Sequence, residues 1–491
     1  MKTLVIAPHP DDEINLAGQW IASLDTAENE FFLLYVTNGD YTKKKEKHRL
    51  KEARDAAKVL GIDGKHLMFL GYPDGILDDV HLYNASENTV VESRLHKTQT
   101  SGTKEIPEYC YLKNGVHHLF TRENFKADFK NAILDVMPDL IIVPEFDSHP
   151  DHRATSLTFD EVMGEILKEK ADYIPIVLKK YIQEGVWHGP RDYYYDPPLP
   201  TKTAGGRTYS GGQHDLDSPA FRWEDRICLR PTARTLTPFL TKNIVFRAAL
   251  KHKQEPAWFK MLQVINADVT YWRKETKNLA LHAEISASSG DGSFVNDYKY
   301  YDSANINNVA EPFLDSERFC WQPNEGDAEK TIRMKFPEGV YVKVIQIYED
   351  CNQANHIRRL IIQADGAGRL AAADGADDLD DEVLWQGSLR EDGSKTKIIL
   401  PKAIHVNELT FTILESTGTP GISEIEVFEC EQDPLQSIPL PEYRAAANTQ
   451  TPKRRQGLYR MEEMMLYLRF VPINRVLKKV AGIAKSIRKR S

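Results

Sequence analysis

The sequence predicts an α/β protein in three parts: a three-layer domain built on a mainly parallel sheet, an all-β sandwich, and a basic helical tail. Through the first half of the chain, short apolar runs rich in Val, Ile and Leu alternate with helical stretches. This is the βαβ rhythm of a Rossmann-like layer. From Asn278 the runs shorten, alternate in polarity and are separated by Gly, Pro, Asn and Asp, the pattern of a jelly-roll sandwich. The charge then changes sign. Twelve Lys and Arg face two Glu between Thr451 and Ser491, although the 491-residue chain carries a formal −9 overall. These shifts divide the chain at 1–277, 278–431 and 432–491.

Lys2 to Ala7 reads as the first strand. It empties into Pro8-His9-Pro10-Asp11-Asp12-Glu13, and Ile14 to Leu24 follows as a helix whose acidic first turn suits the helix dipole. Glu30 to Val36 is a second strand, Lys43 to Leu60 a helix closed by Gly61, and Leu67 to Leu70 a third strand running into Gly71-Tyr72-Pro73-Asp74-Gly75. Asp78 to His118 is polar and breaks the rhythm. It reads as an insertion beside the site, with a hairpin around Tyr109 to Asn114. Asn124 to Val136 is the next helix, Leu140 to Val143 the fourth buried strand, Ala154 to Lys168 a helix and Pro175 to Val186 a strand. Trp187 to Ser218, rich in Tyr, Pro and Gly, reads as a mobile loop, either a lid or a surface excursion. Lys242 to Lys274 reads as one long helix.

In the second part, Lys330 to Phe336, Val340 to Ile347, Leu360 to Gln363 and Glu408 to Leu414 are the clearest strands. Ala364 to Asp381 is an acidic loop, either solvated or a Ca²⁺ holder. Asp433 to Asn448 is a linker. In Arg475 to Arg490 the residues Val476, Leu477, Val480, Ile483, Ala484 and Ile487 share one helical face, with Lys479, Lys485, Arg488 and Lys489 largely away from it. A basic amphipathic helix of this kind binds an anionic membrane surface, or packs on the protein itself or an acidic partner.

The net negative charge argues against a nucleic-acid partner. The five cysteines are scattered without CxxC spacing, as thiols in a reducing cytosol are. The opening residues lack the apolar core of a secretory leader, and no stretch has transmembrane length. The expectation is a cytoplasmic protein, peripheral at the inner membrane face if the tail binds lipid.

The chemistry gathers at two strand ends. His9 and Asp12, three apart on a turn, can converge on one point, and His152 can join them from the loop after the fourth strand. Two nitrogens and one carboxylate with an open position are the composition of a catalytic rather than a structural zinc site. Asp11, adjacent but directed elsewhere, is suited to take a proton from water, and His149 to donate one or stabilise an oxyanion. The competing reading makes Asp11 and Asp12 helix caps, and His149 and His152 surface residues. Two such loops at the ends of strands in one sheet favour the site.

Ala7-Pro8-His9-Pro10-Asp11-Asp12-Glu13 and His149-Pro150-Asp151-His152 together resemble the PIG-L/LmbE family of zinc-dependent de-N-acetylases. Arg49-Leu50-Lys51-Glu52, the Gly71 to Gly75 loop and Ala249-Leu250-Lys251-His252-Lys253-Gln254 agree in order. The resemblance implies Zn²⁺ held by His9, Asp12 and His152, Asp11 as general base, His149 as electrophilic or acid partner, and Arg49 and Asp74 holding the sugar. The β region, from Asn278-Leu279-Ala280-Leu281-His282 to Gly421-Ile422-Ser423-Glu424-Ile425-Glu426-Val427-Phe428, resembles a discoidin-type, galactose-binding-like module. The expected activity is removal of acetyl from an N-acetylated sugar, in a lipid-linked, surface-polysaccharide or lipopolysaccharide precursor. The alternatives are a small soluble N-acetylglucosaminide as substrate, or an inactive carbohydrate-binding protein.

Overall fold

The computed structural model describes residues 1–24, 28–77, 80–147, 149–182, 195–196, 199–201, 220–254, 265–302, 316–352, 354–365, 382–391, 393–438, 453–458 and 460–462. Its first strands are β1 (Lys2–Ala7), β2 (Glu30–Thr37), β3 (Leu67–Tyr72), β4 (Leu140–Pro144) and β5 (Ile176–Lys180). They pair in parallel in the order β3-β2-β1-β4-β5. β1 and β4 lie side by side, with Thr3, Leu4 and Val5 opposite Leu140, Ile141 and Ile142. Between these two strands the order of the sheet reverses, and the crevice beyond their carboxyl ends is where such sheets bind ligands.

Helices cover both faces. α1 (Asp12–Ser23) and α2 (Lys43–Leu60) shield one core with Trp20, Leu50 and Tyr35; α4 (Arg122–Val136) and α5 (Pro150–Glu169) shield the other with Phe125, Phe129, Leu157 and Phe159. The central strands are apolar on both faces because both are covered.

Two expected elements of this first region differ in kind. Tyr109 to Asn114 forms helix α3 (Tyr109–Asn114), not a hairpin. It is one short turn with Tyr109 and Cys110 turned inward, and it ends at Gly115, whose φ of 71° is the left-handed conformation that closes helices. Lys242 to Lys274 is not one long helix. Asn243 caps α6 (Ile244–Ala249) by accepting from the amides of Val245 and Phe246, and the helix stops there. The tyrosine, tryptophan, valine and threonine of Val269 to Lys274 instead form a strand. After β6 (Tyr195–Asp196) come β7 (Ile227–Leu229) and β8 (Val269–Lys274). β8 pairs antiparallel with both β5 and β7, so the seven-stranded sheet is parallel in its centre and antiparallel at one margin.

The second region is antiparallel. β9 (Glu284–Ala287), β10 (Thr331–Glu349), β11 (His356–Ala364), β12 (Glu382–Gly387), β13 (Thr396–Thr417) and β14 (Ile422–Phe428) enclose a core of Trp321, Ile345, Ile362, Phe411 and Val427. The two strands expected at 330–347 are one, β10. Its first part pairs with β9 and its last part with β14, with register breaks between Lys335 and Val340. Such breaks let a strand pass from one layer of a sandwich to the other.

The two regions share a contact surface. Tyr298, Tyr300, Phe319 and Tyr348 join the core beneath α5, and Lys274 Nζ donates to the Tyr298 carbonyl at 2.7 Å. β15 (Lys453–Arg454) pairs with β6, and Glu462 accepts from the amides of Leu240 and Thr241, so Lys453, Arg454 and Glu462 lie against the first region. Most of the Tyr-rich loop, the acidic run at 366–381 and the basic helix expected at Arg475 to Arg490 lie outside the described residues. Among the described residues, no helix is long and apolar enough to cross a membrane.

Candidate metal centre

The loop after β1 is held by backbone bonds. Asp11 and Asp12 donate their amides to the His9 carbonyl at 2.9 and 3.2 Å, and Thr37 at the end of β2 donates both its amide and its hydroxyl to the Pro8 carbonyl at 2.9 Å. The turn presents Asp12 inward. Its Oδ2 accepts the His9 amide at 2.9 Å and lies 3.0 Å from His9 Nδ1. From the loop after β4, His152 in the first turn of α5 brings Nε2 to 3.3 Å from the same oxygen.

A tetrahedral zinc with bonds of 2.0–2.1 Å holds its ligand atoms about 3.3 Å apart, close to both of these spacings. One Asp12 oxygen thus faces both His9 and His152, and one donor atom each of His9, Asp74 and Asp151 also lie within 4.8 Å of one another. The ring nitrogens of His9, His149 and His152 also lie within 4.8 Å of one another. The His149 and His152 rings stack at 4.4 Å, and the His149 ring meets His9 edge-on at 4.8 Å.

Two aspartates assigned no role from the sequence complete the arrangement. Asp147 places Oδ1 and Oδ2 at 3.1 and 2.9 Å from His152 Nδ1, and its Oδ2 also accepts the Ile182 amide at 3.1 Å. A carboxylate on the far nitrogen of a ligand histidine fixes its tautomer and orientation. Asp151 Oδ2 lies 2.9 Å from His9 Nε2 and accepts the Gly75 amide at 2.8 Å, while its buried Oδ1 has no hydrogen-bond partner among the described residues. Both lie in the segment that carries His149 and His152, and their closeness to those histidines in sequence was the available signal. A second buried pair, Glu13 with His252 at 2.7 Å, joins the opening motif to the Ala249 to Gln254 segment.

Arg49 and Asp74 reach the same crevice. Arg49 Nη2 lies 2.6 Å from Asp11 Oδ1, and Arg49 Nη1 3.6 Å from Asp74 Oδ2. Asp74 Oδ1 is 3.5 Å from His9 Nε2, and the Asp74 amide donates to Asp40 at 2.8 Å. Asp11 is therefore turned toward α2 and Asp12 toward the histidines.

The electrostatics suit a cation. Burial opposes charge on His9, but Asp74, Asp12 and Asp151 outweigh it and hold the imidazole well above its ordinary range. Burial likewise opposes charge on His152, yet Asp147 and Asp12 push it up to about 9. Asp12 is held well below the usual carboxylate range by His152 and His9 in spite of its burial. His149 goes the other way, lowered by burial and by the neighbouring His152 and His9. The Asp151 amide donates to His149 Nδ1 at 3.2 Å, so a neutral His149 carries its proton on Nε2. Clustered carboxylates, imidazoles of matched spacing and an orphaned buried oxygen together fit a divalent ion, and the mixed N and O donors suit zinc.

The fold and site define an open α/β domain with a candidate metal centre at the reversal point of its sheet, joined to an antiparallel β-sandwich. Residues 4–163 match the family described as PIG-L: GlcNAc-PI de-N-acetylase, and this segment is a PIG-L domain. No curated protein matches the chain. Similar solved structures include the family 32 CBM from C. perfringens NanJ in complex with galactose, at 14% identity over 30% of this chain and 95% of that one, with a TM-score of 0.22. Chitosan-binding module 1 of a chitosanase/glucanase from Paenibacillus sp. IK-5 is 18% identical over 31% of this chain and 98% of its own, with a TM-score of 0.21. CBM32-1 from a family 31 glycoside hydrolase of Clostridium perfringens is 12% identical over 31% and 97%, with a TM-score of 0.22.

Proposed function

We propose that the first domain hydrolyses the acetamide of an N-acetylated sugar, adding water across the C–N bond to give acetate and a free amine. The observation that carries this reading is the single Asp12 oxygen facing both His9 and His152, while Asp11 points away to Arg49. The family match to residues 4–163 supports the same reaction. A zinc ion held by His9, Asp12 and His152 would polarise the carbonyl and make hydroxide available near neutral pH.

Asp11 takes the proton from the attacking water, and its ion pair with Arg49 keeps the carboxylate aimed at that task. His149, with its proton on Nε2, donates a hydrogen bond to the oxyanion, and the proton that Asp11 took from the water passes on to the departing nitrogen. Arg49 and Asp74 flank the crevice where hydroxyls of the sugar ring bind. Asp147 and Asp151 orient the two ligand histidines.

The extra β-sandwich supports a saccharide larger than one ring, and the basic tail supports a substrate at the inner membrane face. We assign a lipid-linked, surface-polysaccharide or lipopolysaccharide precursor, handled by a cytoplasmic protein peripheral to that membrane. Liposome flotation of the full chain against one ending at Gln450 tests the tail, and equal binding rejects it.

For the reaction, the zinc-loaded chain is incubated with N-acetylglucosaminide probes and acetate is measured. Asp11→Asn is expected to abolish release while binding as much zinc as the parent. A chain that binds no zinc, or whose acetate release survives Asp11→Asn, rejects the mechanism.

A further inference from the structure

The insertion between β3 and α4 gathers a second set of unlike donors. Cys110 on α3, His118 in the following connection and Asp128 on α4 place a sulfur, a ring nitrogen and a carboxylate oxygen within 4.8 Å of one another. His118 Nδ1 lies 3.0 Å from both oxygens of Asp128. Thr100 braces the group: its hydroxyl is 3.1 Å from Cys110 Sγ and accepts the His118 amide at 3.0 Å. The Tyr72 hydroxyl donates to Asp128 Oδ2 at 2.8 Å, which ties the cluster to the end of β3, two residues before Asp74.

Burial makes this arrangement costly as it stands. Cys110, Asp128 and the neighbouring Glu108, which pairs with His117, are 1%, 2% and 1% exposed. Two carboxylates and a thiol are thus withdrawn from water. Among the described residues, hydroxyls of Tyr72 and Thr100 bond the carboxylates and the His117 and His118 rings are their cationic partners, and buried charge needs strong pairing. The amide-hydrolysis reading gives none of these residues a task.

We propose that Cys110, His118 and Asp128 form a second metal site, for zinc or another borderline divalent ion, which fastens the insertion to β3. Thiolate, imidazole and carboxylate together are donors that zinc accepts and that Ca²⁺ or Mg²⁺ do not favour. Binding releases the proton of the Cys110 thiol to solvent, and the neutral His118 ring ligates through Nδ1 with its hydrogen on Nε2. The phenol of Tyr72 keeps its bond to the carboxylate, so the ion acts on the Asp74 loop through β3 as a positioning device.

Cobalt(II) substitution separates this site from the other. The cluster of His9, Asp12 and His152 contains no thiol, so a near-ultraviolet thiolate-to-cobalt charge-transfer band arises only at a cysteine. Full-length protein stripped with chelator and reloaded is expected to take up about two equivalents per chain and to show the band. Cys110→Ser should lose the band and one equivalent, whereas His9→Ala should lose the other equivalent and keep the band. If Cys110→Ser does not fold, His118→Gln, at a partly exposed position, reads the same loss. A parent protein without the band, or a band that persists in these Cys110 and His118 variants, overturns the proposal.

Discussion

The guanidinium of Arg49 lies 2.6 Å from the carboxylate of Asp11 and 3.6 Å from that of Asp74, so one side chain from α2 spans the ends of β1 and β3. The contact with Asp11 is a short charge-assisted bond between groups whose side chains are 6% and 14% exposed. It keeps the carboxylate proposed as base apart from Asp12, the one proposed as ligand.

Arg49→Lys retains the charge but replaces the planar fork with a point charge that cannot reach both partners alike. It should lower kcat about 10- to 100-fold, a part of what a positioned base contributes, with zinc content unchanged. Gly39→Ala tests the same contact from outside, because a Cβ there would stand 2.5 Å from Arg49 Nε at a backbone φ of +60°. Steady-state kinetics distinguish the roles: a raised KM with kcat intact would make Arg49 a sugar contact alone.

Asp147 acts through His152. Asp147→Asn exchanges one acceptor oxygen for a donor at the ring nitrogen that needs an acceptor, and it disturbs the bonds from the amides of Ile182 and His149. Zinc affinity should fall about 10- to 100-fold, as for other carboxylates behind ligand histidines. Chelator competition measures it. Unchanged affinity would mean that packing alone orients His152.

His149→Gln separates hydrogen bonding to the oxyanion from metal holding. It should reduce kcat about 100- to 1,000-fold, the scale of a lost oxyanion donor, while zinc stays bound. His152→Gln should lose the metal as well. If zinc analysis shows that His149→Gln also empties the site, His149 is a ligand and the assignment of roles changes.

That the Pro8 to Glu13 turn and the loop of His149 and His152 meet in one crevice was legible, because each follows directly on an apolar strand of one parallel sheet. Asp147 and Asp151 were not, since an aspartate in a polar loop is equally a turn former, and only the fold shows His152 Nδ1 against one and His9 Nε2 against the other. Fold class came from local periodicity. The antiparallel pairing of β8 with β5 is a long-range contact with no local signature, so Val269 to Lys274 was absorbed into a helix. The short helix at Tyr109 was missed because Tyr, Cys, Tyr and Leu in succession favour a strand, and burial of Tyr109 and Cys110 against β3 and α4 outweighs that preference.

The contact between the two regions should weaken as pH rises. Glu426 on β14 is 1% exposed and accepts from the hydroxyls of Tyr300 at 2.6 Å and Tyr348 at 3.2 Å. Burial pushes its carboxyl up to about 7 from an ordinary 4.5, against the pull of the Tyr300 hydrogen bond and of Lys395 and Lys274. The folded state therefore holds a proton that the unfolded chain has already released. The stabilisation is complete below the ordinary value and is lost as pH rises through 7, a change on the order of 3 kcal/mol. Glu145 and Glu349, also raised to about 7 by burial, act in the same direction. Glu426→Gln keeps an acceptor for Tyr300 and has no proton to lose. In urea denaturation followed from about pH 5 to about pH 8, the parent should lose stability more steeply than Glu426→Gln. Parallel curves would show that Glu426 stays charged in the folded protein and that Lys274 and Lys395 suffice to hold it so.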